Sequence, residues 1–537
     1  MLETKRLFAA GLTLAWLAAL GCYDFEGAFQ DCVASGQCKP EGCKKEWADA
    51  PDEFSHDNNC DGIDGDPNNA FFVDPVLGKN TNPGTPQAPF QTLSHAVTAA
   101  AAAGKALYLA QGNYDEPAFR LDKPVSLHGG YSGLDGGWAR DGGYTTRIGG
   151  GSIGLTVSGL GEDAGVVLER LHIESVQPPD AGAPSIGLRV MGSGGVRLRY
   201  VQVVAGPGAP GTAGTSPVIN PRGGADGGDG ESSRRTDPRM RADGGTPGLS
   251  SCGDVAARSG GRGGLGGQLA NPATDGLAGE RATDGGTAGT PQDLPDCTGT
   301  VECVCTGRPG TNGQQGLDGA PGDDGPAGNA LGQLTNDSWV ASTGSTGGPG
   351  QPGEGGGGGG GGGYCRMGTY SSAEGAGGGG GGSGGCPGTG ASGGGGGGAS
   401  IAVLLIQGHV SLENSTLTTT GGGQGGAGGT GGNGSPGGKG GTGGTGYTDR
   451  VTFTTPHATS IGGTGGNGGN GGNGGRGGHG GNGGGGPSVG VWCDPDSTVA
   501  EKGSTFNLGP SGQPGTGLGL KTPAVPPAQY QECTPLR

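Results

Sequence analysis

The sequence predicts an all-β chain, a stack of parallel β-helix coils carrying long glycine-rich insertions. Two observations support this. The first is an internal repeat of alternating apolar residues. Ser152-Ile153-Gly154-Leu155-Thr156-Val157 recurs as Ser185-Ile186-Gly187-Leu188-Arg189-Val190, as Ser400-Ile401-Ala402-Val403-Leu404-Leu405 and, more weakly, as Ser488-Val489-Gly490-Val491-Trp492. A second block follows each of the first three copies: Val166-x-Leu168-x-x-Leu171-x-Ile173, Val196-x-Leu198-x-x-Val201-x-Val203 and Val410-x-Leu412-x-x-Ser415-x-Leu417. The fourth copy keeps Val499 and Ser504-Thr505-Phe506, with Glu501 where Leu412 aligns. Period-two alternation marks half-buried strands, and a unit that cannot bury its own face must stack on copies of itself. The second observation is composition. Of 537 residues 139 are Gly and 37 Pro, with 5% aromatics, too little bulk for one large conventional core.

Residues 1–21 read as a signal peptide. Lys5 and Arg6 precede the uncharged run Leu7 to Leu20, which is too short to cross ~30 Å of hydrocarbon. Leu17-Ala18-Ala19-Leu20-Gly21-Cys22 resembles the lipobox of bacterial lipoproteins, although Ala19 stands where the family usually has Leu. The resemblance implies lipidation of Cys22 and attachment to a membrane, outer membrane favoured. The other twelve cysteines, an even number in an exported chain, fit disulfides; Cys303-Val304-Cys305 has the wrong spacing for a zinc knuckle.

Residues 22–69 form a Cys- and Asp-containing segment. Asp57, Asp61, Asp64 and Asp66 cluster around turn glycines, a pattern that suits Ca²⁺ or, equally, a solvated linker stapled by Cys60. The segment resembles the Cys-Asp-Gly-Ile-Asp calcium-type motifs near anchors of surface proteins.

Residues 70–205 hold the ordinary globular part. Phe71-Phe72-Val73 reads as a strand, Asn82-Pro83-Gly84-Thr85 as a turn, and Gln91 to Ala103 as a helix with Leu93, Ala96, Val97 and Ala100 on one face and Gly104 closing it. Ala106 to Ala110 and Pro124 to Tyr131 are further strands. The turn, Pro89-Phe90-Gln91-Thr92-Leu93, Tyr108-Leu109-Ala110-Gln111-Gly112-Asn113-Tyr114 and Val125-Ser126-Leu127-His128-Gly129-Gly130-Tyr131 together resemble the opening of a pectate-lyase-like right-handed β-helix. That family implies a helix capping the N-terminal end of the coils. Asn80 departs from the family, which often carries Asp there.

The remaining segments are a glycine-rich insertion at 206–399, a coil at 400–420, Gly-Gly-x repeats at 421–486, and a last coil with a tail at 487–537. Gly307 to Ala330 runs as Gly-x-y triplets, a period that fits a three-residue-per-turn extended helix. The triplets are too short and Pro-poor for a collagen triple helix, which leaves polyglycine-type helices packed by backbone hydrogen bonds, or disorder. The Gly-Gly-x tracts resemble those of mycobacterial-type PGRS surface proteins. Since closure entropy grows slowly with loop length, the long insertion costs only about 1 to 3 kcal/mol more than a short turn, and the coils should barely notice the removal of 206–399.

No catalytic constellation emerges. Gly478-His479-Gly480 matches a short polygalacturonase motif, but His479 merely fills the variable place of a Gly-Gly-x run, as Asp323-Asp324 fills a triplet. Lys439 lacks the Ser or Thr a phosphate loop needs after it. The net charge of −17 argues against nucleic acid as a partner. The expected function is a non-enzymatic, structural or adhesive envelope lipoprotein with a polysaccharide or envelope partner. The alternative is a polysaccharide lyase or glycoside hydrolase of the β-helix type, since fold does not settle chemistry.

Overall fold

The computed structural model describes residues 43–536, apart from residues 117–118, 162–163, 219–220, 235–239, 251, 253–257, 280–283, 296–301, 370, 453–456 and 534. The expected signal peptide, residues 1–21, and Cys22 lie outside the described residues. The chain is all-β with large parallel sheets and is compatible with a β-helix. Its residues fall into two compact units.

The first unit takes the described residues 43–114, then 125–146 and 169–171. Strands β1 (Ala70–Val73), β2 (Ala106–Ala110) and β3 (Leu127–Tyr131) run parallel, with Phe72 beside Tyr108 and Tyr108 beside His128. Helix α1 (Leu93–Ala103) packs on β1 and β2 through Leu93, Ala96, Val97 and Ala100, the face its spacing predicts. It starts two residues later than expected because Thr92 is extended and its hydroxyl accepts the His95 N–H; Gly104, at φ 65°, ends it. Asn80 fastens the helix approach, its Oδ1 accepting the N–H groups of Gln91 and Thr92 at 3.1 Å each. Phe72, Tyr108, Tyr131 and Trp138 form the aromatic core.

The second unit takes residues 115–124, 147–168 and 172 onward. Its first sheet sets β4 (Ile153–Gly161), β6 (Ser185–Arg199) and β8 (Ser400–Glu413) side by side. These are followed by β10 (Ser488–Cys493) and β11 (Thr498–Lys502), and β13 (Ala528–Gln531) joins β10. The register follows the repeat: Ile153 beside Ile186, Ser185 beside Ser400, Ser400 beside Ser488, and Leu412 beside Glu501. The second sheet contains β5 (His172–Glu174), β7 (Gln202–Ala205), β9 (Thr416–Thr419) and β12 (Thr505–Leu508), aligning Ile173, Val203, Leu417 and Phe506. The chain turns between the sheets at Tyr200, Asn414 and Gly503, all at positive φ. Asn and Gly tolerate that conformation and Tyr does not; Asn414 donates to the Tyr200 hydroxyl at 3.0 Å across the stack. Three of the four repeated serines are fully buried, each hydroxyl bonded where the chain leaves the second sheet: Ser185 to the Val176 carbonyl, Ser400 to that of Gly206, and Ser488 with Thr419.

At that same corner the chain runs out into glycine-rich segments that bond to one another through backbone N–H and carbonyl groups. Gly307, Gly310, Gly313, Gly316, Gly319, Gly322, Gly325 and Gly328 donate in turn to Ile461, Thr464, Asn467, Asn470, Asn473, Arg476, His479 and Asn482 at 2.7–2.9 Å, which makes the two segments parallel. A third segment runs antiparallel to the first, Gly363 donating to Arg308, Gly360 to Thr311, Gly357 to Gln314, and so on to Ser345 and Pro326. Successive residues of one segment therefore face different neighbours, as a threefold extended helix requires.

The glycine count follows from how many edges are covered. A Cβ on Gly358, Gly359 or Gly360 would lie within 3 Å of the Arg262, Gly466 or Thr287 carbonyl respectively. Gly361, Gly362 and Gly363 meet Leu265, Gly463 and Thr290 in the same order. All three edges are covered, and the run Gly355 to Gly363 is unbroken glycine. Gly440 and Gly441 cover two edges while Lys439 is exposed; Gly310 covers one while Thr311 and Asn312 are exposed. Side chains outside the covered edges cap one another: Asp226 and Asp229 accept the N–H groups of Lys439 and Thr442, and Asp324 accepts that of His479. Disulfides Cys252–Cys386 and Cys305–Cys365 cross-link these segments, and Cys493–Cys533 and Cys43–Cys60 lie outside them.

Candidate functional site

The four carboxylates proposed for calcium do not converge. Asp57 accepts the N–H groups of Asp61 and Gly62, Asp61 accepts that of Ile63, and Asp66 accepts from Asn68 and Asn69. Among the described residues no three His, Cys, Asp or Glu side chains are placed to hold a metal ion. Asp64 points inward, 1% exposed, and meets Arg140 Nη1 at 2.9 Å.

Arg140 is a hub that sequence reading missed. Its fully buried guanidinium also meets Glu169 at 3.0 Å, donates to the Gly129 and Asp52 carbonyls, and lies 5.2 Å from the Tyr131 ring centre. His128 Nδ1 approaches the same Glu169 oxygen at 2.8 Å. Breaking such a set leaves an unpaired buried charge, so its role is to fasten the Asp-rich segment to the strands. Burial raises the Asp64 carboxyl to about 6, outweighing the opposing pull of Arg140. Burial also pushes Glu169 up, but the His128 hydrogen bond and the Arg140 charge hold it below its ordinary range.

The two carboxyls have opposite pH dependence. The Asp64 contribution is full below its ordinary 3.8 and is lost as pH rises through about 6. That of Glu169 is present above its ordinary 4.5 and is lost as pH falls through its lowered folded value. Stability of this unit should peak near pH 4 to 4.5, fall by up to about 3 kcal/mol as pH rises to about 6 and level off above it, read as a melt followed against pH. Asp64→Asn should flatten the alkaline side of that curve.

The second unit contains a cleft of about 700 Å³. Its floor is the β8 and β10 edge at Ile406, Gln407, Trp492 and Asp494, and its wall is the turn 329–336. That turn leads into a short hairpin pairing Gln333–Leu334 with Trp339–Val340. The hairpin is anchored by Trp339, which packs on Trp492 at 6.3 Å between ring centres and donates to the Leu331 carbonyl. Ile186, Ile401, Leu404 and Val489 complete that apolar cluster. Asp494 accepts the Gln407 N–H on both oxygens and the Ser497 hydroxyl. Glu532 accepts the Trp492 Nε1–H at 3.3 Å. The Cys493–Cys533 disulfide lies next to both acids in sequence and holds their segments together. Among the described residues no Lys, Arg or His lines the cleft. The available signal was an acid beside each of two cysteines far apart in the chain; the hairpin has no sequence signal that reveals where it docks.

Residues 76–133 match one family model. It is described as a protein of unknown function (DUF1565), a family associated with right-handed β-helix proteins. The match spans α1, β2 and β3, the stretch whose order and spacing resemble the opening of such folds. No curated protein and no solved structure matches the chain. No described helix is long and apolar enough to cross a membrane.

Proposed function

We propose that this chain is a non-enzymatic, lipid-anchored protein of the cell envelope, structural or adhesive in its work. Its fold on this reading is a right-handed parallel β-helix, with α1 over the N-terminal end and the glycine segments as ordered insertions. The observation that carries the proposal is the pairing of glycine-segment backbone groups along whole segments. Such an array holds its shape without a large apolar core and presents rows of exposed Asn, Thr, Asp and Gln. Disulfides within it suit an exported protein. Polysaccharide is the partner class proposed. The cleft supports binding over hydrolysis, because Asp494 is already occupied by Gln407 and Ser497 and is not poised for proton transfer.

The anchor is tested at Cys22. Cys22→Ser should release the protein from the membrane fraction or leave an unprocessed precursor. Maturation and fractionation like the parent would remove lipidation from the account.

A further inference from the structure

We infer that the cleft between the 329–336 turn and the β8–β10 edge is a binding site for a neutral, hydroxyl-rich saccharide. The inference rests on the adhesive reading and specifies its ligand class. Its volume, about 700 Å³, suits a small-molecule or oligomer subsite. The site is built on fixed elements: a ladder floor, a disulfide beside both acids, and a hairpin pinned by Trp339 on Trp492.

Backbone conformation singles out the same place. Gln407 is held at φ 51°, where the preceding coil has Gly192 at φ 52°, and Glu532 is held at φ 59°. Left-handed backbone costs a non-glycine residue about 1 kcal/mol or more. A coil that could use glycine carries Gln instead, and its exposed side chain lies at the cleft.

The lining chemistry selects the ligand. Gln333, Asn336 and Gln407 are exposed at the cleft and offer both amide donors and carbonyl acceptors, a match for sugar hydroxyls. An acidic polysaccharide would meet Asp494 and Glu532 with no Lys, Arg or His among the described lining residues to offset them. A divalent cation is disfavoured as well, because both Asp494 oxygens already accept protein hydrogen bonds, leaving Glu532 as the acid turned to a ligand. A hydroxyl donating to Glu532 Oε1 leaves the Trp492 bond to Oε2 intact.

The full chain, purified in detergent, would be passed over immobilised galactomannan, β-glucan, polygalacturonate and polylysine. Retention on a neutral glycan is expected. Glu532→Gln and Asn336→Ala should each weaken it by about tenfold while the melt stays unchanged. Retention on none of the neutral glycans, or retention only on polylysine, would overturn the inference. Glycan retention that neither variant changes would also overturn it while leaving the adhesive reading in place. Release of shortened glycan would instead overturn the non-enzymatic reading.

Discussion

Replacing residues 206–399 with a short Gly-Ser turn should leave the second unit aggregated or melting far below the parent. Loop closure alone predicts a gain of about 1 to 3 kcal/mol on shortening, and the coils on either side do pair directly, Ser185 with Ser400 and Gln202 with Thr416. The structure adds two larger losses. The removed span carries Trp339, which covers Ile401, Leu404, Ile406, Val489 and Trp492, and losing a buried Trp alone costs about 3 to 5 kcal/mol. It also carries the partners of the 421–486 segment: Gly423, Gly426, Gly438 and Gly441 donate to Gly398, Gly395, Ser383 and Gly380. Stripped of these, 421–486 should become open to trypsin at Lys439 and Arg476, which the parent should resist. A cooperative melt within several degrees of the parent would return the segment to the status of a passive loop.

Gly360→Ala should destabilise the second unit by about 3 kcal/mol or more, lowering its melt. Gly to Ala usually stabilises by about 0.4 to 1 kcal/mol through the unfolded chain. Here the added methyl meets the Thr287 carbonyl and the Gly286 oxygen, backbone atoms that cannot swing away as a side chain could. Relief requires separating segments whose bonds run from Gly360 to Thr311 and from Gly466 to Gly360, so overpacking and lost hydrogen bonds add. Lys439→Ala, at an exposed place in a Gly-Gly-x tract, should stay within about 0.5 kcal/mol of the parent. Equal behaviour of the two variants would contradict the edge-covering explanation of the glycine count.

Much of the β framework was legible. Alternation with a shared serine placed Ile153, Ile186 and Ile401 in one column, and Glu501 opposite Leu412, because period-two patterning fixes which face is buried. Helix α1 was legible from its apolar face and closing Gly104. The partners of the glycine segments were not. A triplet period shows that a segment has three edges, but glycine carries no side chain to say which neighbour covers each. Nor was the Arg140 hub visible, since Asp64, Glu169 and Arg140 are far apart in sequence and only the fold joins them. An Asp-rich run reads alike whether its carboxylates face a cation, their own backbone or a buried guanidinium.

The central claim is that the glycine segments form one ordered, hydrogen-bonded array. Hydrogen exchange of the peptide spanning Gly355 to Gly363 tests it most directly. Gly356 to Gly363 each donate to a named carbonyl in a neighbouring segment, and all are buried. Their amides should therefore exchange only with global opening of the second unit, as slowly as those of β6 and β8. Exchange at the rate of an unstructured glycine peptide, with β6 and β8 still protected, would contradict the account.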